Sequence, residues 1–387
     1  MTYQENCTLP QEILETITAG GLDSLPELIR VMVNEAMKLE REQHLGAEAY
    51  ERTAERQGYA NGYKPKKVKT RVGEIEFAVP QVREGDFYPA ALEKGLRSER
   101  ALTLALAEMY VQGVSTRRVA AITEKLCGTA VSSAQVSRAA QKLDEVLEAW
   151  RTRPLDEIVY LYLDARYEKV RIEGQIQDAA ILMAVGVGGD EKRRVLGVSV
   201  SLSEAQEHWR SFLESLQERG LTGIRLITSD DHAGLRKARQ ALFTGVPWQR
   251  CQFHLQQNAS QYVPRKKMQE EVAADIRGIF QAPSRERAEA YLKEVVAKYA
   301  DTAADLADWL EVSIPEGLTV FAFPAKHWRR IRTSNVMERL SQEIKRRTRV
   351  IRLFPNEASC LRLVSAVLME RSEEWETGRI YLNLDTA

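Results

Sequence analysis

The stretch EIVYLYLDARYEKVRIEG, residues 157–174, decides how the chain is read. It opens with a β-branched and aromatic run that reads as a strand ending in Asp164. Two more strand-like runs follow after a turn, AAILMAVGVGG (179–189) and RRVLGVSVSL (193–202), and three consecutive strands of this type form an antiparallel meander. Next comes EAQEHWRSFLESLQERG (204–220), which sets Trp209, Phe212, Leu213 and Leu216 on one face of a helix, and then GIRLITSDD (223–231), a strand that ends at Asp230.

Strand, strand, strand, helix, strand is the element order of an RNase H-like α/β core. A helical crossover can return the fourth strand beside and parallel to the first, which sets Asp164 and Asp230 side by side. Neighbouring carboxylates repel unless a cation lies between them, and hard oxygen ligands favour Mg²⁺ or Mn²⁺, so the expected cofactor is one of these, as two ions. A single Asp after a strand is more often a turn or helix cap. The pairing points to a metal.

A third carboxylate stands in TSNVMERLSQEIKRRTRV, residues 333–350. Thr333 can begin a helix on which Met337, Leu340 and Ile344 face the core, while Glu338 falls off that stripe and shares a face with Ser341 and Lys345. Between Lys326 and Arg352 there are ten Lys or Arg against two acids, Glu338 and Glu343, a surplus suited to a DNA backbone. Catalytic and metal-binding roles therefore fall to Asp164, Asp230 and Glu338. Backbone contacts fall to Lys345, Arg346, Arg347 and Arg349. The bland alternative makes Glu338 and Arg339 surface charges on an exposed helix.

Upstream, residues 10–55 read as two amphipathic helices, a stripe that serves as core or as a contact with a second copy. Residues 61–80 suggest a basic hairpin carrying KPKKVKTR (64–71), with Lys66 and Lys67 as DNA contacts. Then LTLALAEMYVQG, STRRVAAITEKLCG and VSSAQVSRAAQKL, within 102–143, have a helix-turn-helix cadence, with Ser115 and Ser132 as N-caps and Gly113 and Gly128 as stops. The third helix would offer Ser133, Gln135, Ser137 and Arg138 to a major groove; otherwise the unit is a plain three-helix connector.

The whole chain, 387 residues and 44% hydrophobic, holds enough apolar matter for two or three domains. Lys plus Arg equals Asp plus Glu at 55 each, so the local distribution of charge, rather than its sum, carries the signal. The first twenty residues lack a signal-peptide pattern and no apolar run suits a membrane span, which gives a cytoplasmic expectation with no membrane partner. Cys7, Cys127, Cys251 and Cys360 are scattered, as reduced thiols are. Cys251 and His254 are spaced like half a zinc site, but no second close pair exists to complete it. His254 also reads as a satisfied core histidine.

Four motifs together, LDARYEKVR at Asp164, ITSDDHAGL at Asp230, WQRCQFHLQQN at Cys251 and His254, and SNVMERLSQEIKRRTRVIRLFPN at Glu338, resemble the Mutator-type transposases of bacterial insertion sequences. The resemblance runs from about residue 55 to residue 375. It implies that Asp164, Asp230 and Glu338 are a DDE triad, that Asp230 rather than the adjacent Asp231 matches the motif, and that Cys251 and His254 support the active site by positioning metal ligands or the scissile phosphate. It implies a mostly helical insertion between the second and third acids, recognition of double-stranded DNA with terminal inverted repeats, and transfer to target DNA in the bacterial nucleoid; because two ends must be handled together, a homodimer is the expected minimum assembly. The organisation expected is a helical region at 1–60 with dimerising capacity, a basic hairpin linker at 61–98, a helix-turn-helix-like DNA-binding region at 99–150, core segments at 151–242 and 326–387, and the helical insertion at 243–325. An RNase H-like nuclease without strand transfer and a transposase-derived DNA-binding regulator are the alternatives.

Overall fold

The computed structural model describes all residues except 1–10, 49, 55, 84, 85, 93, 96 and 385–387. The chain forms two compact units, Met1–Lys142 and Leu143–Ala387.

In the first unit, helices α1 (Gln11–Gly20) and α2 (Leu25–Leu45) precede an antiparallel hairpin of β1 (Ala60–Thr70) and β2 (Gly73–Val82). Met37 of α2 packs with Val68, Ile75, Phe77 and Val79 of the hairpin, so the α2 stripe is at least partly ordinary core. Helices α3 (Arg100–Val111), α4 (Thr116–Cys127) and α5 (Ser133–Gln141) follow. Ser115 caps α4, Gly128 ends it in the left-handed region at φ 60°, and Ser132 with Gln135 forms a capping box on α5.

The second unit begins with α6 (Asp144–Thr152), which the sequence groups with residues 99–150. Arg362 donates to both carboxylate oxygens of Asp144 (2.6 and 2.8 Å), and Arg151 donates to Ser365 (2.9 Å). These bonds fasten α6 to α15 (Glu357–Thr377).

The sheet contains β3 (Ile158–Ile172), β4 (Gln175–Gly188), β5 (Arg193–Ser201), β6 (Leu226–Ser229) and β7 (Trp248–Arg250), in the spatial order β5-β4-β3-β6-β7. The first three strands are an antiparallel meander. Helix α7 (Gln206–Glu218) carries the crossover that returns β6 parallel to β3, and α8 (Ala233–Leu242) leads to β7, parallel to β6. Leu161 and Leu163 bury one face of β3 against Trp209, Phe212, Leu213 and Leu216 of α7. The alternate residues Tyr160, Tyr162, Asp164 and Arg166 share the other face.

A helical block follows, made of α9 (Gln252–Ala259), α10 (Gln269–Phe280), α11 (Arg285–Tyr299) and α12 (Ala304–Ser313), with a core of its own that includes Leu255, Ile276, Leu292, Val295, Leu306 and Leu310. The Gln249 amide on β7 locks this block to the sheet: Nε2 donates to Gly317 O (2.8 Å) and Oε1 accepts from Val320 N (2.7 Å). Helices α13 (Ala325–Ile331) and α14 (Asn335–Thr348) then return to the Asp164 face. There Tyr160 Oη shares a hydrogen bond with His327 Nδ1 (2.8 Å), and Arg166 donates to Ser341 O.

Candidate active site

Strand register places the two aspartates together. Tyr160, Leu161 and Tyr162 pair with Leu226, Ile227 and Thr228, and two further residues along each strand stand Asp164 and Asp230. Burial, and then the charge of Asp230, raise the Asp164 carboxyl to about 7. Ionisation of Asp164 beside Asp230 is thus opposed near neutral pH, which is the cost a divalent cation relieves. The donor set therefore fits a hard cation at these two residues.

Asp231, one residue on, is committed elsewhere. Its carboxylate accepts from Arg236 Nε (2.6 Å) and pairs with Arg250 (3.2 Å). The structure thus separates the double Asp into one residue facing Asp164 and one held by arginines.

Cys251 and His254 sit at the same place. The β6–β7 register sets Cys251 level with Asp230, and Cys251 N donates to Ser229 O (2.8 Å). Its sulfur accepts from Ser334 N (3.4 Å) and Ser334 Oγ (3.3 Å), immediately before α14. Thr228 Oγ1 to Ile331 O (2.8 Å) and Gln252 N to Arg332 O (3.1 Å) stitch the same seam. Burial opposes ionisation of the Cys251 thiol, but His254 and Ser334 together outweigh it and lower its pKa. Buried Cys360, lacking such partners, is pushed up to about 12 by burial and Glu168. The imidazole of His254 is raised to about 9, first by the Cys251 sulfur and then by Asp164 and Asp230, against burial. Its Nδ1 is nevertheless buried without a partner in good hydrogen-bond geometry.

Glu338 occupies the first turn of α14, exposed, with Met337, Leu340 and Ile344 buried beneath it. It lies between two anchors of that helix, Ser334 on Cys251 and Ser341 on Arg166. Among the described residues no group of three His, Cys, Asp or Glu is gathered closely enough to hold a metal ion, so Asp164 and Asp230 are brought together while Glu338 stands apart from a finished cluster.

One carboxylate near the pair goes unmarked in the sequence reading. Glu204, in the loop before α7, is 8% exposed, and burial raises its pKa. It faces His232 Nδ1 at 3.7 Å. Gly234 permits this approach, since a Cβ there would collide with the Glu204 carbonyl oxygen. The SDDHAGL spacing signals the glycine, but nothing local signals Glu204.

The expected DNA contacts divide. Lys345 and Arg349 are exposed, and Arg138 is exposed on α5. Arg346 is exposed but bonded to Glu343 (2.7 and 3.0 Å). Arg347 corrects the expectation: it is 2% exposed and bridges the half-buried Glu343 (3.1 Å) and Glu370 (3.2 Å), so its charge is spent within the fold. Gln135 directs its side-chain oxygen to the cap of α5 (2.8 Å). Lys66 donates to Tyr88 Oη (2.6 Å), and Lys67 is exposed, 3.8 Å from both Glu74 and Glu76.

Residues 1–378 match the family described as Transposase, Mutator family. The chain is 59% identical over 368 residues, 95% of each chain, to the transposase for insertion sequence element IS406 of Burkholderia multivorans. It is 43% identical over 386 residues, 100% of this chain and 96% of the relative, to the transposase for insertion sequence element ISRM5 of Rhizobium meliloti. Identity is 36% over 393 residues, 99% of each chain, to the transposase for insertion sequence element IS256 in transposon Tn4001 of Staphylococcus aureus. The chain belongs to the Mutator family of transposases. DNA is accordingly its substrate, and no helix among the described residues is long and apolar enough to cross a membrane.

Proposed function

We propose that the second unit is an RNase H-like core, interrupted by a helical insertion at 243–325, that carries out DDE transposition with Asp164, Asp230 and Glu338. The observation that carries this reading is the Asp164–Asp230 pair on adjacent parallel strands, with the Asp164 carboxyl held near 7 by burial and its neighbour. Asp164 and Asp230 would hold Mg²⁺ or Mn²⁺, with Glu338 completing the ligands of two ions. Such ions supply charge stabilisation to the attacking and leaving oxygens of an in-line displacement at phosphorus.

The protein's own groups do the positioning. Cys251 ties the start of the Glu338 helix to the end of the Asp230 strand. His254 directs a positive charge at the two aspartates and keeps a buried ring nitrogen open to an anionic oxygen. Exposed Lys345 and Arg349 follow Glu338 along α14 and its C-terminal end, where they can grip the DNA backbone. In this reading water first frees a 3′-hydroxyl at a terminal inverted repeat, and that hydroxyl then attacks target DNA. Two ends handled together call for a homodimer.

Cleavage and joining of DNA carrying the element's own ends, with Mg²⁺, tests the reading. Asp164→Ala, Asp230→Ala and Glu338→Ala should each lose about a hundredfold or more in rate, while Asp231→Ala keeps cutting. Equal activity in all four variants would remove the site. Cutting that never yields joined strands would leave a nuclease, and binding without cutting a regulator.

A further inference from the structure

A second charged feature lies on the Asp164 face of the sheet. Arg193 at the start of β5, Arg329 and Arg330 on α13, Arg332 after it, and Arg339 on α14 line a pocket of about 190 Å³. None of the five has a carboxylate within ion-pair distance among the described residues. Other arginines of this unit do: Arg194 pairs with Asp156 (2.9 Å), Arg250 with Glu316 (2.8 Å) and Arg362 with Asp144 (2.6 Å).

Two of these charges are also held in place. The Arg193 guanidinium lies 4.2 Å from the Trp375 ring centroid and 4.8 Å from that of Tyr381, and Arg330 stacks on Tyr381 at 4.8 Å. One aromatic ring thus fixes two guanidinium groups close together. Burial lowers the pKa of Arg193; Tyr381 opposes this, while the charges of Arg339 and Arg330 add to it. Gathering like charges in a concave, partly desolvated place is unfavourable until an anion enters.

The volume narrows the anion. Pockets for whole organic ligands run from about 300 Å³ upward, so this one suits a small anion or a single anionic group of a larger molecule. Its place indicates which. Tyr162 Oη donates to Arg330 O (3.2 Å), and Tyr162 lies two residues before Asp164 on the same face of β3. Arg339 directly follows Glu338.

We propose that Arg193, Arg329, Arg330, Arg332 and Arg339 form a phosphate pocket that grips the backbone of the DNA strand lying across the Asp164 face. The assignment rests on the reading of that face as the DNA-processing site. It adds a contact that the linear basic run from Lys326 to Arg352 does not reveal, because Arg193 and Tyr381 come from outside that run.

The test uses the full chain and duplex DNA bearing the element's end, with binding measured without divalent cations across a series of salt concentrations. Arg329→Gln with Arg339→Gln removes two exposed pocket charges. Arg285→Gln with Arg287→Gln removes two exposed charges from α11 as a control. The pocket pair should bind roughly tenfold more weakly, with a plot of log affinity against log salt less steep by about one unit, and unchanged thermal stability. The control pair should match wild type. Wild-type affinity and slope in the pocket pair, or equal losses in both pairs, would overturn the proposal. Inorganic phosphate, followed by phosphorus NMR, separates the sources: DNA should displace it from wild type, and phosphate that stays bound under saturating DNA would overturn the backbone assignment. Because binding is read without cleavage, failure of the carboxylate reading shows separately, as an Asp164→Asn variant that still cuts.

Discussion

Asp230 and Asp231 are chemically identical neighbours with opposite surroundings, one beside Asp164 and the other between Arg236 and Arg250. The electrostatic cost of the first arrangement is measurable. A carboxyl whose folded pKa is raised from 3.8 to about 7 contributes stability that is fully present below the unfolded value and is lost as pH rises through the folded one. Without divalent cations, Asp164→Asn should therefore gain stability relative to wild type between pH 4 and pH 7, by about 1–2 kcal/mol after allowance for partial solvent access; a constant difference in denaturant midpoints across that range would contradict it. Cys251 offers a second residue-level test. Serine preserves an acceptor for Ser334, so Cys251→Ser should retain more activity than Cys251→Ala, whose kcat should fall about tenfold or more with KM for DNA unchanged. The spacing of Cys251 and His254 is visible in the sequence, but the partner that gives the thiol its task, Ser334, stands 83 residues away. No local pattern carries that information.

Helix α14 shows at the scale of an element which physics a sequence exposes. Its apolar stripe, Met337, Leu340 and Ile344, follows from helical period alone and is buried as that period requires. Its charges do not follow so directly, because a basic run states how many cations there are and says nothing of their partners. Arg347 and Lys345 are two positions apart, yet one is a buried cation paired within the fold and the other an exposed cation. Arg347→Gln should destabilise the protein by about 1–2 kcal/mol by removing a buried guanidinium from the half-buried carboxylates of Glu343 and Glu370, whereas Lys345→Gln should leave the melting temperature unchanged and weaken DNA binding. Matching melting curves for the two variants would contradict the assignment. The Glu343 cluster on this helix is also acid-sensitive. Glu343 is lowered to about 2 mainly by Arg346, with Arg371 adding, so its contribution is present above its ordinary 4.5 and is lost as pH falls through the folded value. The stability gap between wild type and Glu343→Gln should close over that acid window.

At the scale of the molecule, the element order from Ile158 to Ser229 was legible because each strand ends at a turn and the crossover helix has a clear stripe. The break at Lys142 was not, because α6 continues the helical character of the preceding segment and its attachment depends on Arg362 and Ser365, more than two hundred residues later. That attachment leads to a prediction about autonomy. The second unit contains its whole sheet, the helical block core and both partners of every α6 bond named above. A fragment spanning Leu143–Ala387 should therefore fold by itself and melt in one cooperative transition, while a fragment begun at residue 153, which lacks α6, should melt lower because Arg362 loses Asp144. Base-reading candidates such as Arg138 lie in the other unit, and the cationic pocket and Lys345 lie in this one. The longer fragment should consequently keep salt-sensitive DNA binding but bind element ends and unrelated duplex equally well. Retained preference for the ends would place sequence recognition in the catalytic unit itself and free α5 of that role.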